Sequence, residues 1–187
     1  MIDVLSAPET RRTVFPVSVE FYHEAGRLGL IGEDVELLEG VIFTKMPKSP
    51  LHQSLVRKLQ RLLASLLPAG FFVDRECPIS CQHSEPEPDI AVFSGNIEDY
   101  ESSHPTTAEL VIEVAINTQQ RDRIKAGIYA GAGVKEYWLI EPEAGLVTLH
   151  TQPQGDAYEC VRSFQPDEEA VSTVFPGFSL RLAELMA

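Results

Sequence analysis

Two acids stand in segments that otherwise have the composition of buried strands. Asp89 opens the run PDIAVF, and Glu113 interrupts the run ELVIEVAI. Both runs are short, nearly continuous in apolar residues and rich in β-branched ones, the pattern of strands covered on both faces. A carboxylate buried there is costly unless it gains a cation, a set of hydrogen-bond donors or a metal ion. An arginine partner or a place at a sheet edge would satisfy Glu113 as well, and Pro88–Asp89 taken alone is a common turn dipeptide. Further along, Asp122 and Lys125 lie three residues apart in TQQRDRIKAGIYAGAG, which places them on one face of a helix. Two hard oxygen ligands with a lysine nearby suit Mg²⁺-assisted cleavage of a phosphodiester bond. In that chemistry the metal polarises the phosphate and acidifies a water, while the lysine orients the water or stabilises developing charge.

The elements that must position these residues are legible from pattern. Ser18 is expected to cap a short helix over VEFYHEAGRLGL. VELLEGVIFTKM predicts two short strands around a turn at Glu39–Gly40. The strongest helix is expected from Leu51 to Leu67, with Leu55, Leu59, Leu62, Leu63 and Leu66 as its apolar stripe and Pro68-Ala69-Gly70 as its stop. Strands are expected in FFVDRECPIS, PDIAVFS, AELVIEVAI and KEYWLIEP, and a hairpin in LVTLHTQ and AYECVRSF joined through Pro-Gln-Gly-Asp. Asn117 or Thr118 can cap the helix that carries Asp122 and Lys125, and the tail VFPGFSLRLAELMA is expected to end in a short helix. Helix, strands, helix, strands gives an α/β fold with a central mixed sheet flanked by helices. With no repeat or biased linker, residues 1–187 read as one domain, with residues 1–15 as a loose arm.

Composition narrows the class. The chain has 187 residues, 44% hydrophobic and 23% charged, which disfavours disorder. No stretch approaches the roughly 18 apolar residues of a membrane span, and the acidic, polar MIDVLSAPETRR does not read as a signal peptide. Three cysteines do not make a disulfide framework, so a cytoplasmic protein with reduced thiols is expected. The net charge of −13 argues against a protein that coats nucleic acid. Its distribution is uneven, however: no Asp or Glu falls between Gly40 and Val73, where Lys45, Lys48, Arg57, Lys58 and Arg61 lie. Arg121, Arg123 and Lys125 form a second basic cluster, so the field is expected to be locally positive or these side chains simply solvated.

Other residues read more plainly. Cys77, Cys81 and His83 lack the further ligands that make zinc spacing convincing. Tyr137 and Trp138 adjoin Leu139 and Ile140 and fit a packed strand, while Gly131 and Gly133 fit a helix C-terminus.

Glu87-Pro88-Asp89, Glu113-Val114, Asp122 and Lys125 in this order resemble the PD-(D/E)XK nuclease superfamily, and more specifically the bacterial Uma family of restriction endonuclease-like proteins. VELLEGVI, SPLHQSLVRKLQRLL, RDRIKAGIYAGAGVKEYWLIEPE and FPGFSLRLAELM extend the resemblance over roughly residues 15–187. It implies the restriction endonuclease-like fold, with Asp89 and Glu113 as ligands for Mg²⁺ or Mn²⁺ and Lys125 as the third catalytic residue. In the strict superfamily pattern lysine stands two residues after the glutamate, where this chain has Ala115; Lys125 matches the relatives whose lysine lies on the following helix. Glu36 and His52 match positions that line the same cleft. Family members usually carry Leu-Ser-Pro after Glu-Val, whereas this chain has Ala115-Ile116-Asn117. The resemblance implies a metal-dependent endodeoxyribonuclease acting on DNA as a homodimer. The alternative is a non-catalytic dimeric binding or regulatory module that keeps the nuclease fold.

Overall fold

The computed structural model describes residues 13–116 and 119–187, apart from the side chains of residues 119–121 and 123. The cap expected at Asn117 or Thr118, most of the expected arm and the Arg121 and Arg123 side chains lie outside those residues.

Ser18 caps α1 (Val19–Arg27), its hydroxyl accepting from the Phe21 N–H at 3.2 Å. Next, β1 (Val35–Leu38) and β2 (Val41–Thr44) form an antiparallel hairpin around Glu39 and Gly40. Both turn residues have positive φ, 50° and 71°. A Cβ at Gly40 would stand 2.6 Å from Pro16 Cβ, so the lack of a side chain there is a steric requirement as well as a conformational one.

The long helix α2 (Pro50–Leu66) starts at Ser49, whose side chain accepts from the His52 N–H, with Pro50 in the first turn where its missing N–H costs nothing. Its inward face is His52, Leu55, Val56, Leu59 and Leu63. Leu62 and Leu66, expected in that stripe, are 36% and 42% exposed. They lie at its margin, and Val56 and His52 take the buried places.

Six strands form the central sheet, in the order β3 (Phe71–Asp74), β4 (Ile90–Ser94), β5 (Leu110–Val114), β6 (Glu136–Glu141), β7 (Leu146–Gln154), β8 (Ala157–Phe164). Only β5 and β6 pair in parallel. Parallel neighbours need a crossover, and α3 (Gln119–Gly131) supplies it. The strand candidate FFVDRECPIS ends at Asp74, since positive φ at Glu76 and Pro78 break it. The β7–β8 turn is also tighter than expected: Pro153 and Gln154 stay in register with β8, leaving Gly155 and Asp156 as the connection. In the sheet LVTLHTQ is covered on both sides by β6 and β8, while AYECVRSF forms one edge and β3 the other. The chain closes with a two-stranded pair, β9 (Ala170–Val171) and β10 (Ser179–Leu180), and a short helix α4 (Leu182–Met186).

Strand alternation divides the core. Ile90, Val92, Leu110, Ile112 and Val114 pack with Leu55, Leu59 and Leu63 of α2 and with Phe178 and Leu185 of the tail. Ala91, Phe93, Val111 and Ala115 pack on the other face with Tyr129 and Ala130 of α3. Period two therefore assigns Glu113 to the α3 face, together with Val111 and Ala115. Among the described residues no helix is long and apolar enough to cross a membrane.

Leu59 is fully buried where Leu62 is not. Leu59→Ala is expected to lower the urea-unfolding free energy by about 2–5 kcal/mol, and Leu62→Ala by no more than about 1 kcal/mol. Equal losses would contradict this orientation of α2.

Candidate active site

At the adjoining ends of β4 and β5 the backbone locks two acids together. The Val114 N–H donates to Asp89 Oδ2 at 2.9 Å, and the Asp89 N–H donates to Glu113 Oε2 at 3.3 Å. The acids are thus near neighbours on paired strands, as expected.

Helix α3 crosses over Glu113 and delivers Lys125 to it. The Lys125 ammonium lies 3.1 Å from Glu113 Oε1, 2.9 Å from Glu36 Oε2 and 3.8 Å from Asp122 Oδ1. Glu36 comes from the β1–β2 hairpin, and Asp122 stands one turn before the lysine, so three separate elements converge on one cation. None of Glu36, Asp89, Glu113, Asp122 and Lys125 is more than 6% exposed. Every site residue expected from sequence is therefore in one cluster, including His52. That ring is buried, not solvated: its Nε2 lies 2.9 Å from Asp89 Oδ2, while Nδ1 is buried with no hydrogen-bond partner.

Three contributors were not anticipated. Tyr129 donates its hydroxyl hydrogen to Glu113 Oε1 at 2.7 Å. Helical spacing could have found it, since residues 122, 125 and 129 share a face. Tyr137 donates to the Asp122 carbonyl at 2.8 Å from the neighbouring strand β6. Lys48, in the loop before α2, reaches Asp89 Oδ1 at 3.3 Å and Glu76 at 2.8 Å; no local pattern marks it.

The environments push the two central acids apart. Burial pushes Asp89 up, but the His52 hydrogen bond and charge, the Val114 N–H and Lys48 outweigh it and hold the carboxyl below its ordinary range. Burial raises Glu113 to about 8, and the negative charges of Asp89 and Asp122 add to it against the opposing pull of Lys125. Lys125 is affected in the opposite sense to a lone buried amine. Burial would lower it, but Glu113, Glu36 and Asp122 carry it well above the usual lysine range. Three carboxylates around one ammonium keep the lysine charged, and Glu113, raised further by burial and by Asp89, is the acid that holds a proton at neutral pH.

These side chains line a cleft of about 90 Å³ together with Lys45, Lys48, Ser49 and Glu87. Lys45 is held by Glu87 at 2.8 Å. Among the described residues no three His, Cys, Asp or Glu side chains form a preformed metal cluster. The Cys77 and Cys81 thiols donate to the Pro78 and Ile79 carbonyls. Burial pushes them up to about 11 and about 12, so they behave as ordinary thiols.

A solved structure shares the fold that carries these residues. The crystal structure of "a putative nuclease belonging to DUF820" from Anabaena variabilis ATCC 29413, at 1.96 Å resolution, has the same fold with a TM-score of 0.72 and 18% identity, covering 91% of this chain and 98% of that one. The Uma2 family model, described as "Putative restriction endonuclease", matches residues 28–183, and the chain belongs to that family. No curated protein matches the chain.

In the folded chain Glu113 keeps its proton to about pH 8, whereas an unfolded glutamate releases it near 4.5. Between those values unfolding releases a proton, so this residue makes stability fall as pH rises. In metal-free buffer Glu113→Gln, which cannot ionise, is expected to gain on the parent across that window by about 1 kcal/mol or more. Urea unfolding at a series of pH values measures this, and a difference independent of pH would contradict it.

Proposed function

We propose that this protein is a divalent-metal-dependent endodeoxyribonuclease that hydrolyses DNA phosphodiester bonds, with Asp89, Glu113 and Lys125 as its catalytic residues. The observation that carries the reading is the convergence of Glu36, Glu113 and Asp122 on one buried lysine in an open cleft, with Asp89 tied to Glu113 through its backbone N–H. Membership of a family described as putative restriction endonucleases supports the same reaction class.

The donor set fits a hard cation. Asp89 and Glu113 offer carboxylate oxygens, the buried charge around them is net negative, and added positive charge would let Glu113 ionise. Mg²⁺ is commonly held by only one or two carboxylates plus water, so no cluster of three side chains is required. A Mg²⁺ or Mn²⁺ ion on Asp89 and Glu113 would supply polarisation of the scissile phosphate and acidification of a water.

The chain's own residues supply the rest. His52, Lys48 and the Val114 N–H keep Asp89 ionised and fix its direction. Lys125 stays an ammonium, so its role is to donate hydrogen bonds and offset charge on the phosphoryl oxygens, not to accept a proton. Glu36 and Asp122 anchor that ammonium within reach of Glu113. The non-catalytic alternative accounts less well for the site, because a scaffold gains nothing from a cluster of buried ionisable groups that cost desolvation. A homodimer pairing at the β8 edge would place two such clefts on one duplex.

Plasmid cleavage in Mg²⁺ or Mn²⁺ tests the reading. The parent is expected to nick or linearise the plasmid, Glu113→Ala to be inactive, and Lys125→Ala to turn over at least about 10²-fold more slowly. A parent that cleaves no form of DNA overturns the proposal, and a Lys125→Ala variant as fast as the parent removes the lysine from the mechanism. Light scattering at micromolar concentration is expected to return twice the chain mass of 20.7 kDa. A monomer would remove the dimer.

A further inference from the structure

A second depression opens beside the acid cleft and shares two of its walls. It has room for about 230 Å³ and is lined by Lys48, His52, Gln53, Val56, Arg57, Arg75 and Glu76. Lys48 and His52 line the acid cleft too, so the two are continuous. Lys48 sits at the join, its ammonium between Asp89 on one side and Glu76 on the other. Since Lys48 and Glu76 offset each other, the net charge of the groove is that of Arg57 and Arg75.

These arginines are unusual in a chain with 28 acids and 15 basic residues. Both are exposed. Among the described residues neither guanidinium is ion-paired to a carboxylate; Arg57 donates to Gln53 Oε1 at 3.0 Å, one helical turn back. Arg61 continues the same face of α2 and, among the described residues, donates to the Arg57 carbonyl. The acid-free stretch from Gly40 to Val73 leaves α2 no acid of its own to pair with Arg57 and Arg61. A positive groove thus runs directly out of a negative cleft.

We propose that this groove holds the sugar–phosphate backbone of DNA next to the bond being cleaved, so that the substrate is an internal stretch of polynucleotide and not a free or terminal phosphate ester. The inference rests on the acid cleft being the cleavage site. A strand whose scissile phosphate lies among Asp89, Glu113 and Lys125 must carry its neighbouring phosphates away from those acids. The groove offers them two exposed guanidinium groups that are in no ion pair among the described residues, and guanidinium binds phosphate oxygens in pairs.

Two measurements on Arg57→Ala/Arg75→Ala and Arg57→Lys/Arg75→Lys test this. In metal-free buffer, fluorescence anisotropy with a short labelled duplex should show the alanine pair binding about tenfold more weakly, with a salt slope smaller by about 2. The lysine pair should retain most of the affinity. Binding and slope equal to the parent in the alanine pair would overturn the inference. In Mn²⁺, the alanine pair should cleave duplex about tenfold more slowly than the parent. It should hydrolyse bis(p-nitrophenyl) phosphate, which has one phosphodiester and no neighbouring phosphate, at the parent rate. Equal losses on both substrates would overturn the groove, because the arginines would then be acting on the fold or the cleft. A parent that cleaves duplex no faster than the alanine pair does would remove the groove and leave the nuclease reading standing. A parent that binds duplex through the arginines but cleaves neither substrate would keep the groove and remove the nuclease reading.

Discussion

The rest of this molecule is arranged around one buried ammonium. Lys125 is 4% exposed and can be charged there only because Glu113, Glu36 and Asp122 surround it. Removing one partner of a buried ion pair is far more damaging than the pair itself is stabilising, because the remaining charge is left uncompensated. Each partner comes from a different part of the chain: the central strand β5, the β1–β2 hairpin and α3 itself. The ammonium therefore fixes how the hairpin and the crossover helix sit against the sheet. The topology requires the same arrangement. The one parallel step in the sheet, β5 to β6, forces a helical crossover on the face that Glu113 occupies.

Because the acids outnumber the cations, the cleft stays short of positive charge. Asp89 remains ionised through His52, Lys48 and a backbone N–H, and Glu113 yields by keeping a proton. Two carboxylates a few ångströms apart with opposite proton affinities are a familiar way of giving similar groups different tasks. On the proposed reading Asp89 is a standing ligand, and Glu113 becomes one when further positive charge arrives. The arginines of the neighbouring groove place favourable charge for a polyanion outside the cleft, where it does not neutralise the acids within.

Much of this was legible in the sequence, and the reasons differ by element. Strands β4 and β5 stood out because a continuous apolar run of five or six residues must be buried, and burial makes a lone acid within it conspicuous. Gly40 marked its turn because a left-handed position next to Pro16 tolerates no side chain. The Asp122–Lys125 face followed from helical spacing alone. The convergence of Glu36 and His52 on the same cleft did not: both are long-range contacts, and only family resemblance placed them there. Tyr137 and Lys48 were missed for the same reason, since their contacts lie in other elements. The stripe of α2 was misjudged at Leu62 and Leu66, where period 3.6 drifts off a buried face that Val56 and His52 occupy. The β7–β8 connection was read two residues too long, because Pro153 and Gln154 looked like turn residues but keep their pairing with Tyr158 and Ala157.

The central claim is that Asp89 and Glu113 together form a binding site for a divalent cation in the folded chain. Thermal melting of the parent and of Asp89→Asn/Glu113→Gln, with and without millimolar Mg²⁺ or Mn²⁺, tests it most directly. A ligand that binds only the folded state raises the melting temperature with its concentration. The account predicts a concentration-dependent rise in the parent and none in the double variant. A parent that melts at the same temperature with and without metal, or a double variant that gains as much as the parent, would contradict it.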